Sequence, residues 1–382
     1  MAPSDAPTAP PGTPPRSVPG PAAGAARARR RPAFHTLRVA AVEPLCADAA
    51  AVAFEIPERL AAEFAFAPGQ SLTLRREIEG RDERRSYSIC APVGAPPRIG
   101  VRVVPNGLFS SWLVNDLRPG DTVEAMGPTG TFTPDLTAPG HHVLIAAGSG
   151  ITPMLSIAAS VLAADRISRV SLFYGNRRSD TVMFADDLAD LKDLYPDRLR
   201  LAHVLSREPR EAELLSGRLD AERLAALLAA LIEPAGADHW WLCGPHGMVR
   251  DARGVLSDLG VPADRVHQEL FHADDDPART VHHRDTAPDG PVSHVTLTLD
   301  GRSTRAVLSR ERSILDGAQR VRADLPFACK GGVCGTCRAL VTDGEADMRR
   351  NFALEPAEVA EGYVLTCQTY PVSASLAVDY DS

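Results

Sequence analysis

The chain has 382 residues, 44% hydrophobic and 24% charged, with 41 Lys plus Arg against 49 Asp plus Glu for a net charge of −8. Those figures exclude wholesale disorder and coiled coil, disfavour nucleic acid as a partner, and leave two to four domains at roughly 100–200 residues each. The longest strictly apolar run, Leu224–Ile232, is about half a bilayer span, so no membrane partner is expected.

Residues 1–33 are rich in Pro, Ala and Gly, lack the apolar core of a signal peptide and carry a net +4, which leaves −12 on the remainder. They read as a disordered tail. Residues 34–138 alternate in short stretches, His35–Val42, Ala51–Ile56, Ser71–Arg75 and Ile99–Val104, broken by Pro68-Gly69 and Pro119-Gly120. Several short strands at this spacing predict a sandwich or barrel. From residue 139 strands alternate with helices. Strands are expected at Val143–Ala147, Val170–Tyr174, Leu199–Leu205 and Trp240–Cys243, and helices at Pro153–Ala164, Phe184–Leu194, Asp220–Ile232 and Pro245–Leu259. Asp220 is a plausible N-cap. This rhythm predicts a parallel sheet covered on both faces. Residues 273–291 are polar and proline-broken, hence a linker. A small α+β unit follows over 292–382, with a strand at Val295–Asp300, a hairpin turn at Gly301 and a short helix at Ser313–Arg320.

The seven cysteines are too few for a secreted disulfide framework, and a cytoplasmic location is expected. Cys46, Cys90 and Cys243 are scattered, and the first two read as packing residues. Cys329, Cys334, Cys337 and Cys367 crowd the end of the chain with the spacing C-x4-C-x2-C-x29-C. This is the plant-type ferredoxin arrangement for a [2Fe–2S] cluster. A loop supplying three ligands within nine residues must wrap tightly, and Gly331, Gly332 and Gly335 let it do so while aiming N–H groups at the sulfurs. A structural zinc site would usually show two short Cys/His pairs instead.

The run from Cys329 to Arg338, with Gly362-Tyr-Val-Leu-Thr-Cys-Gln368, resembles the C-terminal ferredoxin domain of oxygenase reductases in the ferredoxin–NADP reductase superfamily. Asn351-Phe-Ala-Leu-Glu-Pro356 narrows the resemblance to reductases that serve phenylacetyl-CoA epoxidases. Two further signatures follow the family's order. Arg85-Ser86-Tyr87-Ser88 matches its R-x-Y-[ST] pattern. The resemblance implies that Arg85 grips the FAD pyrophosphate, that Tyr87 lies against the isoalloxazine, and that Ser88 bonds near its reactive N5 as a catalytic residue, with Ser86 between them. Gly107-Leu-Phe109-Ser110-Ser-Trp-Leu113 fits the family's G-x-x-S-x-x-L segment, which opens a helix whose N–H groups meet the pyrophosphate. Trp112 and Leu113 read as core packing.

Gly148-Ser-Gly150-Ile151-Thr152-Pro153 is not the G-x-G-x-x-G dehydrogenase fingerprint. It resembles the family's own G-x-G-I-T-P turn, with Pro153 suited to the first helical position. The resemblance places the Cys243-Gly244-Pro245 turn beside the nicotinamide, makes Cys243 and Glu269 catalytic and lets Phe271 shield the flavin. Tyr174, Asn176 and Arg177, with Ser206 and Arg207, stand where the resemblance puts the contacts to the adenosine end. A serine hydroxyl and an arginine fork suit a 2′-phosphate, so NADPH is favoured over NADH, with the adjacent Glu208 pulling the other way.

The implied fold is therefore multidomain. It comprises an antiparallel β-barrel FAD domain over 34–138, an α/β parallel-sheet NAD(P)-binding domain over 139–272 and an α+β (β-grasp) ferredoxin domain over 292–382. The implied activity takes a hydride from NAD(P)H onto FAD, hands electrons singly to the cluster and delivers them to a di-iron oxygenase. Reductases of Rieske-type oxygenases or of the hybrid-cluster protein share all three domains and form the alternative. A non-enzymatic electron carrier is the different class, disfavoured by the intact flavin and nucleotide motifs.

Overall fold

The computed structural model describes residues 33–78, 81–271, 290–354 and 356–382. Nearly all of the expected tail and of the expected linker lies outside them.

The first sheet is built from β1 (Phe34–Cys46), β2 (Ala49–Glu55), β3 (Ser71–Ile78), β4 (Arg81–Ser88), β5 (Arg98–Arg102) and, after helix α1 (Leu108–Asn115), β6 (Thr122–Thr129). Its strands run antiparallel in the order β4-β3-β6-β1-β2-β5. A bridge between Ile89 and Ile99 joins the two edges and closes the sheet into a barrel. Alternate residues Leu37 and Val39, Val52 and Phe54, and Leu72 and Leu74 face inward, and Leu113 of α1 joins that core.

The second sheet contains β7 (His141–Ala147), α2 (Ile151–Ala164), β8 (Arg169–Asn176), α3 (Ala185–Leu194), β9 (Leu199–Leu205), α4 (Ala221–Leu231), β10 (His239–Cys243), α5 (His246–Asp258) and β11 (Val266–Glu269). All strands are parallel, in the order β11-β10-β7-β8-β9. The middles of β7, β8 and β10 are apolar runs because both faces are buried there, while the edge strand β11 (Val-His-Gln-Glu) is polar and only partly buried. Leu144, Leu172 and Trp241 enter one core with α2, while Val143, Phe173 and Trp240 enter the other with α4 and α5. Asp220 caps α4, accepting from the amide of Arg223 at 3.0 Å. Pro153 is the third residue of α2 and not its first. It still lies in the opening turn, where a missing N–H costs no helical bond.

The third sheet holds β12 (Val292–Leu299), β13 (Arg302–Ser309), α6 (Ile314–Ala318), β14 (Arg338–Met348), α7 (Pro356–Ala360), β15 (Tyr363–Leu365) and β16 (Thr369–Asp379). The order is β13-β12-β16-β14-β15, with β12 and β16 parallel and the other pairs antiparallel. Ser313 caps α6 through the amide of Asp316 at 3.3 Å, and the helix stops short of the expected Arg320. Among the described residues no helix is long and apolar enough to cross a membrane.

Candidate functional site

The barrel presents the sequence Arg85 to Ser88 at the end of β4. Arg85 is exposed, its Nη1 donating to the Arg84 carbonyl at 2.7 Å and pairing with Glu83 at 2.9 Å, which leaves other guanidinium donors available. The Ser86 hydroxyl lies 3.2 Å from that of Thr73. The Tyr87 ring stands 6.2 Å from Phe109, so β4 and α1 meet here, and burial pushes its phenol up. Gly107 is the N-cap of α1 and gives the first turn no side-chain cap. A Cβ there would come 2.8 Å from the Ser110 hydroxyl, which accepts from the Val104 amide at 3.0 Å and donates to the Gly107 carbonyl at 3.1 Å. Ser110 thus shapes the turn. An uncapped helix start beside an arginine and a partly buried tyrosine fits an FAD pyrophosphate and ring.

At the C-terminal edge of the parallel sheet, Gly148 has φ +56° and opens the turn into α2, whose start also lacks a side-chain cap. Gly150 has no substitute, because a Cβ would lie 2.1 Å from the Cys243 carbonyl oxygen. The two nucleotide turns, Gly148–Pro153 and Cys243–Pro245, therefore interlock. Thr152 is buried and its hydroxyl donates to the Ser149 carbonyl at 3.0 Å. Tyr174 is fully buried, and its hydroxyl donates to the Gly148 carbonyl at 2.9 Å. Its ring props the turn from within the core. Asn176 is buried with neither end of its amide hydrogen-bonded, an orphaned polar group that suits a nucleotide.

Backbone pairing continues past β8 and β9, with Ser206 N bonding to the Asn176 carbonyl at 2.9 Å and Arg207 N to that of Arg177 at 2.8 Å. Among the described residues neither the Arg177 nor the Arg207 guanidinium has a partner. Glu208 instead accepts from both the amide and the hydroxyl of Ser179, each at 2.9 Å.

The two regions meet at Ser88, whose hydroxyl donates to Glu269 Oε2 at 3.0 Å. Glu269 ends β11 and pairs in register with Cys243. Burial pushes its carboxyl up to about 7, with the nearby Cys334 adding and the Ser88 bond opposing. The Cys243 thiol is fully buried and pushed well up by burial, with Glu269 adding. Phe271, two residues on, packs partly buried against the α2 core.

Cys329, Cys334 and Cys337 lie on one loop, with Lys330, Gly332 and Gly335 at φ of +52°, +82° and +67°. Cys367 closes the site from the segment after β15. The thiols act on one another most strongly in two pairs, Cys329 with Cys334 and Cys337 with Cys367. Backbone amides point at them, Gly331 N to Cys329 Sγ at 3.3 Å and Cys329 N to Cys334 Sγ at 3.5 Å. The Cys334 thiol is pulled down to about 6, chiefly by the Cys329 thiol and also by Thr336, against the opposing effect of burial. Among the described residues no three His, Cys, Asp or Glu side chains converge on a single-ion site. Two pairs suit two irons, each taking two thiolates, and the residues fit a [2Fe–2S] cluster.

The sequence identifies Ser88, Glu269 and Cys334 separately, and the structure draws them into one junction. Sequence reasoning misses Arg84 and Phe327, which meet across the barrel and the third sheet at 4.1 Å. The available signal is the Arg84-Arg85 doublet, since neighbours on a strand face opposite ways.

Family models match the chain in three places: an oxidoreductase FAD-binding domain at residues 36–133, an oxidoreductase NAD-binding domain at 144–254 and a 2Fe-2S iron-sulfur cluster binding domain at 297–372. The chain is 42% identical to one component of the 1,2-phenylacetyl-CoA epoxidase of Escherichia coli K12, over 91% of this chain and 98% of that one. It is 36% identical to the ferredoxin reductase component of 3-ketosteroid-9-alpha-monooxygenase from Mycolicibacterium smegmatis, over 90% of this chain and 96% of that one. Among solved structures, phthalate dioxygenase reductase matches with a TM-score of 0.57 and 26% identity, over 91% of this chain and 98% of that one.

Proposed function

The chain belongs to the family of oxygenase reductase components that combine FAD-binding, NAD-binding and [2Fe–2S] domains, and from that premise we propose that it carries electrons from NADPH to a di-iron oxygenase that epoxidises phenylacetyl-CoA. The observation that carries the choice of oxygenase is the 42% identity across nearly the whole of the E. coli epoxidase component. Domain limits of 34–138, 139–272 and 292–382, and a cytoplasmic setting that keeps the seven free cysteines reduced, belong to the same reading.

When bound, FAD accepts a hydride from the nicotinamide and releases electrons singly to the [2Fe–2S] cluster. The residues of this chain bind, orient and handle the proton. Arg85 and the open first turn of α1 hold the flavin pyrophosphate, and Tyr87 covers its ring. The Gly148–Pro153 turn and the Gly244-Pro245 turn admit the nicotinamide nucleotide close to the backbone. Arg177, Ser206 and Arg207 supply the charge and hydroxyl for a 2′-phosphate, while Ser179 occupies the competing carboxylate of Glu208. Cys243, neutral at physiological pH, packs the nicotinamide side without adding charge. Ser88 passes a proton between the flavin edge and Glu269, whose carboxyl near 7 can both take and return it.

The test is reconstitution. Purified protein, NADPH, phenylacetyl-CoA and oxygenase components of the E. coli type are expected to give the epoxide only when this chain is present. Flavin and cluster reduction without product, under conditions where the cognate E. coli reductase gives product, would reject the epoxidase assignment.

A further inference from the structure

Alternation along β4 sends Arg84, Ser86 and Ser88 to one face and Arg85 and Tyr87 to the other. Ser88 ends that face at the junction with Glu269. Arg84 lies four residues earlier, takes no part in the chemistry above, and has a side chain only 8% exposed. A charge so enclosed needs compensation. Its Nη2 bonds to Asp82 at 2.7 Å and its Nε lies 3.2 Å from the same carboxylate, which fixes the plane of the guanidinium. Two rings lie within reach of it. Phe34 of the barrel is 5.1 Å from Cζ, and Phe327 of the ferredoxin lobe is 4.1 Å away.

Phe327 stands two residues ahead of Cys329. Lys330 Nζ lies 4.8 Å over the same ring and is itself held by Asp316 at 2.9 Å and Gln319 at 2.8 Å. The ring that Arg84 meets is thus braced from within its own lobe. Beyond the cysteine loop, Phe352 meets His246 edge-on at 5.9 Å, and Val333 and Phe352 pack against the α4–α5 core of the nucleotide sheet. The Phe352 amide bonds to the Gly332 carbonyl at 3.1 Å, so this second contact is also built onto the cysteine loop.

We propose that Arg84 is a positioning residue that seats the ferredoxin lobe on the flavin barrel, holding the Cys329–Cys337 loop at the Ser88–Glu269 junction. The apolar contacts of Val333 and Phe352 attract without fixing direction. A planar cation locked by Asp82 and set over the Phe327 ring supplies the direction, and lysine cannot reproduce it. The inference rests on the reading that electrons cross from flavin to cluster, and one of its two readouts is independent of that reading.

The experiment uses the holoprotein with Arg84→Ala and Arg84→Lys. The first readout is hydroxyl-radical labelling of Phe352, which Arg84 does not touch. The second is the ratio of NADPH-driven cytochrome c reduction, which needs the cluster, to ferricyanide reduction, which takes electrons from the flavin. Loss of a desolvated cation–π contact is expected to lower the docked-to-undocked ratio roughly tenfold in the alanine variant and by less in the lysine variant, read as increased Phe352 labelling. The ratio falls in both while ferricyanide reduction holds. Wild-type labelling in both variants overturns the seating, and raised labelling with an unchanged ratio overturns its role in placing the loop. Should the alanine variant lose its cofactors, the lysine variant decides by the same criteria. Failure of the underlying reading shows separately, as wild-type protein that reduces ferricyanide but not cytochrome c.

Discussion

The hydroxyl of Ser88 donates to the carboxylate of Glu269 at 3.0 Å and ties the end of a barrel strand to the last strand of the nucleotide sheet. The bond joins the expected flavin edge to a carboxyl that burial has raised from 4.5 to about 7. Between those two values the native protein keeps a proton that the unfolded chain has released. The contribution of Glu269 to stability is therefore full below about 4.5 and is lost as pH rises through 7, a swing on the order of 3 kcal/mol. Glu269→Gln keeps the shape and cannot ionise. Its melting temperature relative to wild type is expected to rise between pH 5 and pH 8 in calorimetric scans. A difference that stays flat over that range contradicts the raised carboxyl.

Arg207 tests the nucleotide preference. With Glu208 engaged by Ser179, its guanidinium is left for a 2′-phosphate. Arg207→Ala is expected to lower kcat/KM for NADPH by about 10- to 100-fold, the size of a charge-assisted hydrogen bond, and to leave NADH nearly unchanged. Equal losses with both nucleotides would remove Arg207 from 2′-phosphate recognition.

Cys334 tests the independence of the two redox halves. Cys334→Ser is expected to abolish the cluster's visible absorption while the flavin is still bleached by NADPH at the wild-type rate. A variant whose flavin no longer reduces would show that the barrel and nucleotide sheet depend on the third lobe.

Gly150 tests the interlocked turns. A Cβ there would sit 2.1 Å from the Cys243 carbonyl, so Gly150→Ala must displace backbone. We expect a loss of about 1–3 kcal/mol in stability, read by denaturant titration, together with weaker binding of both nucleotides. Unchanged nucleotide affinity would separate this contact from the site.

Much of this was legible because local chemistry demanded it. Three cysteines and three glycines within nine residues admit few readings, and the apolar runs of β7, β8 and β10 announce a sheet buried on both faces. Asp220 and Ser313 cap helices as their residue types suggest. The strands of the third sheet were harder to read. β14 is largely exposed and polar, with irregular pairing around Thr342 and Glu345 and φ +83° at Gly344, so its alternation breaks. β16 carries Pro371, which argues against a strand when read alone. Tyr174 illustrates a different limit. Its position was expected to contact nucleotide, yet the ring is buried and serves the Gly148 turn, because sequence order does not say which face of a central strand a side chain takes. The Arg84–Phe327 contact joins residues far apart in sequence: the Arg84-Arg85 doublet tells that Arg84 faces away from Arg85, and nothing local names the ring it meets.

The most direct test of the electron path is an anaerobic addition of NADPH to the purified holoprotein, followed by electron paramagnetic resonance. Bleaching of the flavin is expected together with the signal of a reduced [2Fe–2S] cluster, approaching one spin per chain. A bleached flavin beside a cluster that stays oxidised, in protein shown to hold both, would contradict that path.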